Sequence, residues 1–396
     1  MYFKKRFKAG SLRDKGRVFA WLALTTGFGN AAFWTIFPLV IEDTVQSEVL
    51  VGLFFTVIAL IILVCSLLSS IVLRRVSRIY LAKLSFLCCT GLLFLFIFAN
   101  SLLQIYYIEV LRSIFTLLVG ISLSLYVRDY AKEGKIGTAE GRYYLYANVG
   151  WLIGPLIGGA LGQYVSRDSV FIFSSILYLV SFFIFQYYHR KEGDVIYHVK
   201  EKQTLKEIIA INLRDYFKVK DLRKVFVIAM GLNFWWAIHS IYVPLYIMEK
   251  GFGDVTVGIV LAAGIIPLII LERYIGKLAD KRGLRIYLSI GYLILAVTLI
   301  LFHIVPIVAI VLFLMAAVNI GAAFVEPLQE TYFFKVAKKK DAERFFGIYN
   351  MSDPVANVIG PLIASGFIFL WGYGGLWFGS AGILALVMIV ALTVKK

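Results

Sequence analysis

Residues 150–159 read GWLIGPLIGG, and the pentapeptide inside them, Ile153 to Ile157, returns unchanged at Ile359 to Ile363, 206 positions later. Gly150, Gly154 and Gly158 recur every four residues, a spacing that drifts by about 40° per step on a helix and keeps them on one face. A glycine face lets two helix backbones approach closely. Pro155 removes a backbone hydrogen bond and permits a bend. Gly360, Pro361, Ala364 and Ser365 repeat the pattern with less glycine. The spacing therefore predicts two bendable helices half a chain apart. Gly150, Gly154, Pro155 and Gly158 serve as pivots in one, Gly360 and Pro361 in the other, and each is placed to slide or tilt against an opposite bundle.

The offset is not confined to these two helices. Pro38-Leu39 is answered by Pro244-Leu245, and Val51-Gly52 by Val257-Gly258, while RIYL at 78–81 returns at 285–288. Apolar blocks of about 20 residues, each long enough for one helical crossing of a bilayer, number twelve along the chain. Six fall in residues 1–190 and six in 223–396. Six is even, so both halves begin on the same side and the repeat is parallel in the membrane. The expected fold is all-α, a polytopic membrane protein of two six-helix bundles related by a pseudo-twofold. Residues 191–222 are the polar linker between them. Within it, Leu205, Ile208, Ile209, Leu213, Tyr216 and Phe217 recur at helical spacing, which predicts an amphipathic helix on the inner membrane surface.

Composition agrees with this class. The chain is 60% hydrophobic and only 16% charged, against about 25% charged in ordinary soluble domains, and its mean hydropathy is +0.84. A net charge of +16 would suggest nucleic acid in a soluble protein. Here the charge is sorted by side. With the N-terminus inside, the inner segments hold 35 of the 40 Lys and Arg, and the outer loops hold Arg167 and Lys250 alone. That asymmetry is the positive-inside bias. It predicts a multi-pass protein of the cell (plasma or inner) membrane with both termini cytoplasmic, anionic lipid as the partner of the basic surface, and no nucleic acid. The first crossing follows KKRFKAGSLRDKGR without a small-residue cleavage site, and so reads as a retained helix. Cys65, Cys88 and Cys89 all fall in apolar helices, which predicts no disulfide and no metal site; no cofactor is expected.

One inner turn carries more than charge. Gly276 to Arg285 reads GKLADKRGLR. Gly276 permits close helix approach, Gly283 a tight turn, and Asp280 a bond to a neighbouring helix N-terminus, with Lys281 and Arg285 toward the headgroups. The stretch resembles the Gly-x-Leu-Ala-Asp-Arg-x-Gly-Arg-Arg loop of the major facilitator superfamily. The resemblance implies a latch formed by Gly276, Asp280, Lys281, Gly283 and Arg285 that holds one conformation of two rocking bundles. The equivalent first-half loop keeps only Arg74, Arg75 and Arg78. The segment from Gly150 to Gly159 is likewise similar, at every defined position, to the Gly-x-x-x-Gly-Pro-x-x-Gly-Gly pattern of the superfamily's exporters.

Charges inside apolar helices are costly and usually face a cavity. Glu109 and Arg112 lie three apart on one helix face, where each lowers the other's burial cost. Arg112 resembles the fourth-crossing arginine of the superfamily's proton-coupled members. Protonation of Glu109 would free Arg112, which makes the pair the first proton-coupling candidate; Asp353 and Glu326, each followed by proline, are the others. Glu272 and Arg273 are assigned to the Asp280 latch. Asn30, Trp34, Asn148, Trp151, Asn233, Trp236, His239 and Asn357 are mid-membrane polar or aromatic groups that would line a solute cavity.

The functional expectation is an alternating-access secondary transporter, not an enzyme, acting as a monomer. It would export small amphipathic or drug-like compounds with protons as coupling ion. An acidic residue in the middle of the first crossing, which many of the superfamily's cationic-drug exporters have, is missing. That keeps open the alternative of a symporter or uniporter of sugars, organic acids or other metabolites. No phosphate-cradling Walker loop, Asp-x-x-x-Asp or His-x-x-x-x-Asp cluster occurs, so ATP drive or a membrane transferase has no sequence support.

Overall fold

In this computed structural model the residues described are 9–130, 136–189, 205–337 and 339–394, and among them every regular element is helical. Residues 1–8, 131–135, 190–204 and 395–396 of the basic inner segments, and Lys338, lie outside them. The crossings are α1 (Ala9–Val45), α2 (Glu48–Arg75), α3 (Arg78–Leu95), α4 (Leu102–Tyr130), α5 (Ile136–Tyr164) and α6 (Arg167–His189). After a short α7 (Leu205–Lys218) come α8 (Lys220–Glu249), α9 (Asp254–Arg282), α10 (Leu284–Ile304), α11 (Val308–Ala317), α12 (Asn319–Val336), α13 (Lys339–Asn350) and α14 (Ser352–Leu392). Helices α11 and α12 share one crossing, Val308–Val336.

Among the described residues, eleven continuous stretches are long and apolar enough to cross a membrane. The sequence predicts twelve crossings, and α14 accounts for the difference. Its 41 residues would span about 60 Å at 1.5 Å per residue, twice the roughly 30 Å of a bilayer's hydrocarbon core. At Gly372 the backbone leaves the helix, with φ 62° and ψ −159°. Left-handed φ of this kind is accessible to glycine at little cost, and it divides α14 into two crossings. The same device joins α9 to α10, where Gly283 at φ 91° both ends one helix and starts the next.

The chain divides into two compact units: Met1–Ile36 with Val64–Val199, and Phe37–Leu63 with Lys200–Lys396. In the first, the glycine face of α5 rests on α1. A Cβ at Gly154 would stand 2.5 Å from the Ala31 Cβ and 2.8 Å from the Phe28 carbonyl; one at Gly158 would stand 2.8 Å from the Ala32 carbonyl. In the second unit, a Cβ at Gly360 would meet the Ala237 Cβ at 3.1 Å and the Phe234 carbonyl at 3.7 Å. Phe28, Ala31 and Gly154 thus correspond one by one to Phe234, Ala237 and Gly360, each 206 positions on. The duplication read from the sequence is a duplication of contacts. It also corrects the expected partner of these glycines: the close neighbour of α5 is α1 of its own unit, so the face serves packing inside a bundle.

The linker helix α7 finds protein partners too. Tyr216 is buried, its ring 5.6 Å from that of Phe345 on α13, and Phe217 stacks edge-on against Phe226 of α8 at 5.2 Å. Asp215 accepts from Arg344. Burial raises the pKa of the Tyr216 hydroxyl above the ordinary tyrosine value. The expected membrane-surface helix is therefore docked, at its C-terminal turn, on α8 and α13. Ile211 remains exposed.

Candidate functional site

In the first unit, α4 supplies Glu109, Arg112, Ser113 and Thr116 at spacings that share one face. The guanidinium meets the carboxylate in a fork: Nε donates to Glu109 Oε2 at 2.6 Å and Nη2 to Oε1 at 2.7 Å. Ser113 Oγ donates to the same Oε1 at 2.8 Å, and Arg112 Nη1 reaches Thr116 Oγ1 at 3.4 Å. Both members are sealed, Glu109 at 1% and Arg112 at 2% exposure. The sequence predicts an ion pair here; the enclosure comes from three other helices. Helix α1 lays the Phe33 ring under the guanidinium at 3.9 Å, a cation–π contact. Helix α3 brings the Cys89 thiol to 3.6 Å from Thr116 Oγ1. Helix α6 brings Tyr178, whose hydroxyl donates to Asn30 Oδ1 at 2.9 Å.

Two charge-assisted bonds make this pair strong in geometry, yet a buried pair stabilises little beyond its own desolvation cost. Removing one charge from it is what costs. Loss of either charge would leave the other uncompensated in an apolar core. Of the cavity candidates in this unit, Asn30 is engaged by Tyr178, Trp34 packs edge-on with Phe33 at 6.1 Å, and Asn148 and Trp151 are half-buried on α5.

The second unit has a polar cluster at the equivalent place. Asn319, fully buried at the start of α12, accepts from Trp235 Nε1 at 2.9 Å and lies with its Nδ2 3.5 Å from His239 Nε2. The His239 ring sits between Trp235 and Trp236, at 5.2 and 5.5 Å. Asn319 follows Arg112 by 207 positions and His239 follows Phe33 by 206. The repeat therefore sets a charged group on a ring in one unit and an amide on a ring in the other. Asn319, Phe33, Tyr178 and Trp235 were not singled out from the sequence. The repeat offset applied to Arg112 would have found Asn319; nothing local marks Phe33 or Tyr178 among 32 Phe and 23 Tyr.

Glu326, one face of α12 further on, has Glu272 of α9 and the Trp236 indole as its electrostatic neighbours. Its Oε2 and the Oε1 of Gln329, a turn away, are enclosed and accept no hydrogen bond. Glu272 thus has Glu326 as a charged neighbour, with the Asp280 turn eight residues further along its own helix. Asn233 donates to Ser352 Oγ at 3.1 Å. Asp353 is exposed, and Asn357 donates to its Oδ1 at 3.0 Å and to its carbonyl at 3.1 Å. In the 276–285 turn, Asp280, Lys281 and Arg285 are exposed, and among the described residues Asp280 forms no ion pair. A Cβ at Gly276 would meet no atom within 4 Å, so no close approach exists at that glycine.

A family model, Major Facilitator Superfamily, matches residues 19–272 and 254–396, a match in two segments that together take in almost the whole chain. The chain belongs to the major facilitator superfamily. Two curated relatives match part of it. An uncharacterized MFS-type transporter of Methanocaldococcus jannaschii is 26% identical over 199 residues, 50% of this chain and 51% of that protein. Tetracycline resistance protein, class H, of Pasteurella multocida is 26% identical over 263 residues, 61% of each. The chain thus spans between half and two thirds of the curated relatives it matches. Among solved structures, a POT family transporter in complex with a thioalcohol-conjugated peptide superposes with a TM-score of 0.77 at 14% identity, covering 96% of this chain and 95% of that one. That likeness is one of fold. The two six-helix repeats of the major facilitator architecture account for the paired Ala–Gly contacts and for polar clusters at repeat-equivalent positions of the two halves.

Proposed function

We propose that this superfamily member is an alternating-access exporter of small amphipathic compounds coupled to protons, working as a monomer in the cell membrane with both termini in the cytoplasm. The observation that carries the reading is the sealed Glu109–Arg112 fork on α4, because loading a proton there changes the packing energy of the bundle that holds it. Likeness to a tetracycline resistance protein supports export, as does the complete glycine–proline pattern from Gly150 to Gly159. Asp353 and Glu326 are the further proton-coupling candidates in the second half. Asp280, Lys281 and Arg285, exposed at the α9–α10 turn, are the latch residues of this reading.

Direction is the quantity to measure. In everted vesicles with an acidic lumen, an exporter accumulates a fluorescent amphipathic dye, and the accumulation collapses when nigericin abolishes the pH gradient. Accumulation that ignores the gradient would contradict proton coupling. Loss of preloaded solute driven by the same gradient would instead establish the symporter, for which the lack of a carboxylate between Arg17 and Ile41 of α1 speaks.

A further inference from the structure

Helices α9 and α12 are separated by the single crossing α10, so they run in the same direction through the membrane. They touch where Gly264 faces Asn319: a Cβ at Gly264 would stand 2.6 Å from Asn319 Nδ2. From that contact, Glu272 lies eight residues on in α9 and Glu326 seven on in α12. At 1.5 Å per residue both advance by about 10–12 Å, or about two turns. The two carboxylates therefore arrive at one depth, where Glu272 acts electrostatically on Glu326. Gln329 follows one turn below Glu326 on the same face of α12.

The chemistry of this cluster is one-sided. Glu272, Glu326 and the Gln329 carbonyl oxygen all accept hydrogen bonds. Among the described residues neither glutamate forms an ion pair. Glu326 Oε2 and Gln329 Oε1 are shut off from solvent with no donor. The second of these is a neutral amide, so its vacancy is not a matter of acidity. An enclosed acceptor without a donor costs free energy, and a glutamine amide cannot escape the cost by taking up a proton. Beside the cluster stands Trp236, whose indole N–H points to the Glu326 carboxylate and whose ring lies edge-on to His239 at 5.5 Å. Indole faces attract cations more than any other side chain.

Resting on the transporter reading above, we propose that Glu272, Glu326, Gln329 and Trp236 form a recognition site for organic cations, specifically a protonated amine carried on an apolar body. The ammonium supplies the positive charge that the two carboxylates lack and the N–H that Gln329 lacks. The apolar body lies against the indole. No acidic residue in the first crossing is then needed for cation selection, because the second half of the chain provides the anionic partner.

The test is binding to the purified full-length protein, measured by calorimetry with 2-naphthylethylammonium and its neutral counterpart 2-naphthylethanol. The ammonium is expected to bind roughly tenfold more tightly than the alcohol, since a charge-assisted bond is lost in the alcohol. Glu326→Gln, isosteric with the native side chain, is expected to remove that preference while alcohol binding stays as it was. Trp236→Leu is expected to weaken the ammonium by a few-fold. Should Glu326→Gln not fold, Glu272→Gln gives the same readout from the other helix. Equal binding of the two probes to the native protein, or an unchanged preference in the glutamine variants, would overturn the proposal. Its failure is separable from that of the transport reading. Vesicles that still export a neutral dye would leave export standing without the cation site, and selective ammonium binding without any flux would do the reverse.

Discussion

Arg112→Met is expected to be among the most damaging single substitutions in the chain, lowering stability by about 3–5 kcal/mol, because it leaves Glu109 charged and enclosed with no cation to answer it. The loss would appear as a fall in thermal midpoint of the purified protein. Replacing both members, Glu109→Leu with Arg112→Met, is expected to recover most of that stability. Methionine can fill the space over Phe33, now 3.9 Å from the guanidinium, and two apolar side chains carry no desolvation cost. A double variant that is stable yet moves no solute would show that the pair exists for function. If instead the double variant were as unstable as Arg112→Met alone, the pair would be a structural tie of the first unit, and the coupling role would lose its physical basis.

The second large effect lies in the glycines, and it is a contrast. Gly154→Ala places a methyl 2.5 Å from the Ala31 Cβ and 2.8 Å from the Phe28 carbonyl. Backbone cannot swing aside as a side chain can, so α1 and α5 must part, at an overpacking cost of about 1–3 kcal/mol or more. Gly276→Ala, the same change in another helix, meets nothing within 4 Å and is expected to stabilise by about 0.5–1 kcal/mol through the lower conformational entropy of the unfolded chain. Gly360→Ala, with its nearest atom at 3.1 Å, should fall between them. Thermal midpoints ordered Gly276→Ala, wild type, Gly360→Ala, Gly154→Ala from high to low would agree. A destabilised Gly276→Ala would mean that α9 has a close neighbour at its inner end.

These cases also mark how far the sequence could be read. Periodicity and length carry the helices, including the break between the last two crossings, because a run of 41 helical residues cannot fit one bilayer and Gly372 stands near its middle. The Glu109–Arg112 pair was legible because both members lie on one helix, where spacing alone sets their meeting. Contacts between helices were not. Which way the glycine face of α5 points depends on the rotation of α5 about its axis, and that is settled by the fit of Gly154 to Ala31. That Glu272 acts on Glu326 depends on α9 and α12 running parallel and in register, which sequence distance does not announce. The docking of Tyr216 on Phe345 joins segments 129 residues apart, which no local pattern announces. Internal repetition is the exception. It carried Gly154 to Gly360 across the whole chain, and would have carried Arg112 to Asn319.

Coupling through Glu109 is the claim on which the mechanism turns, and simultaneous recording of solute and proton fluxes in everted vesicles tests it most directly. In vesicles bearing the native protein, addition of a transported solute should release protons from the lumen in step with solute entry. In Glu109→Gln vesicles the solute should still equilibrate down its own gradient, with no proton signal and with a rate that no longer varies with pH. An unchanged proton-to-solute ratio in Glu109→Gln would contradict the account.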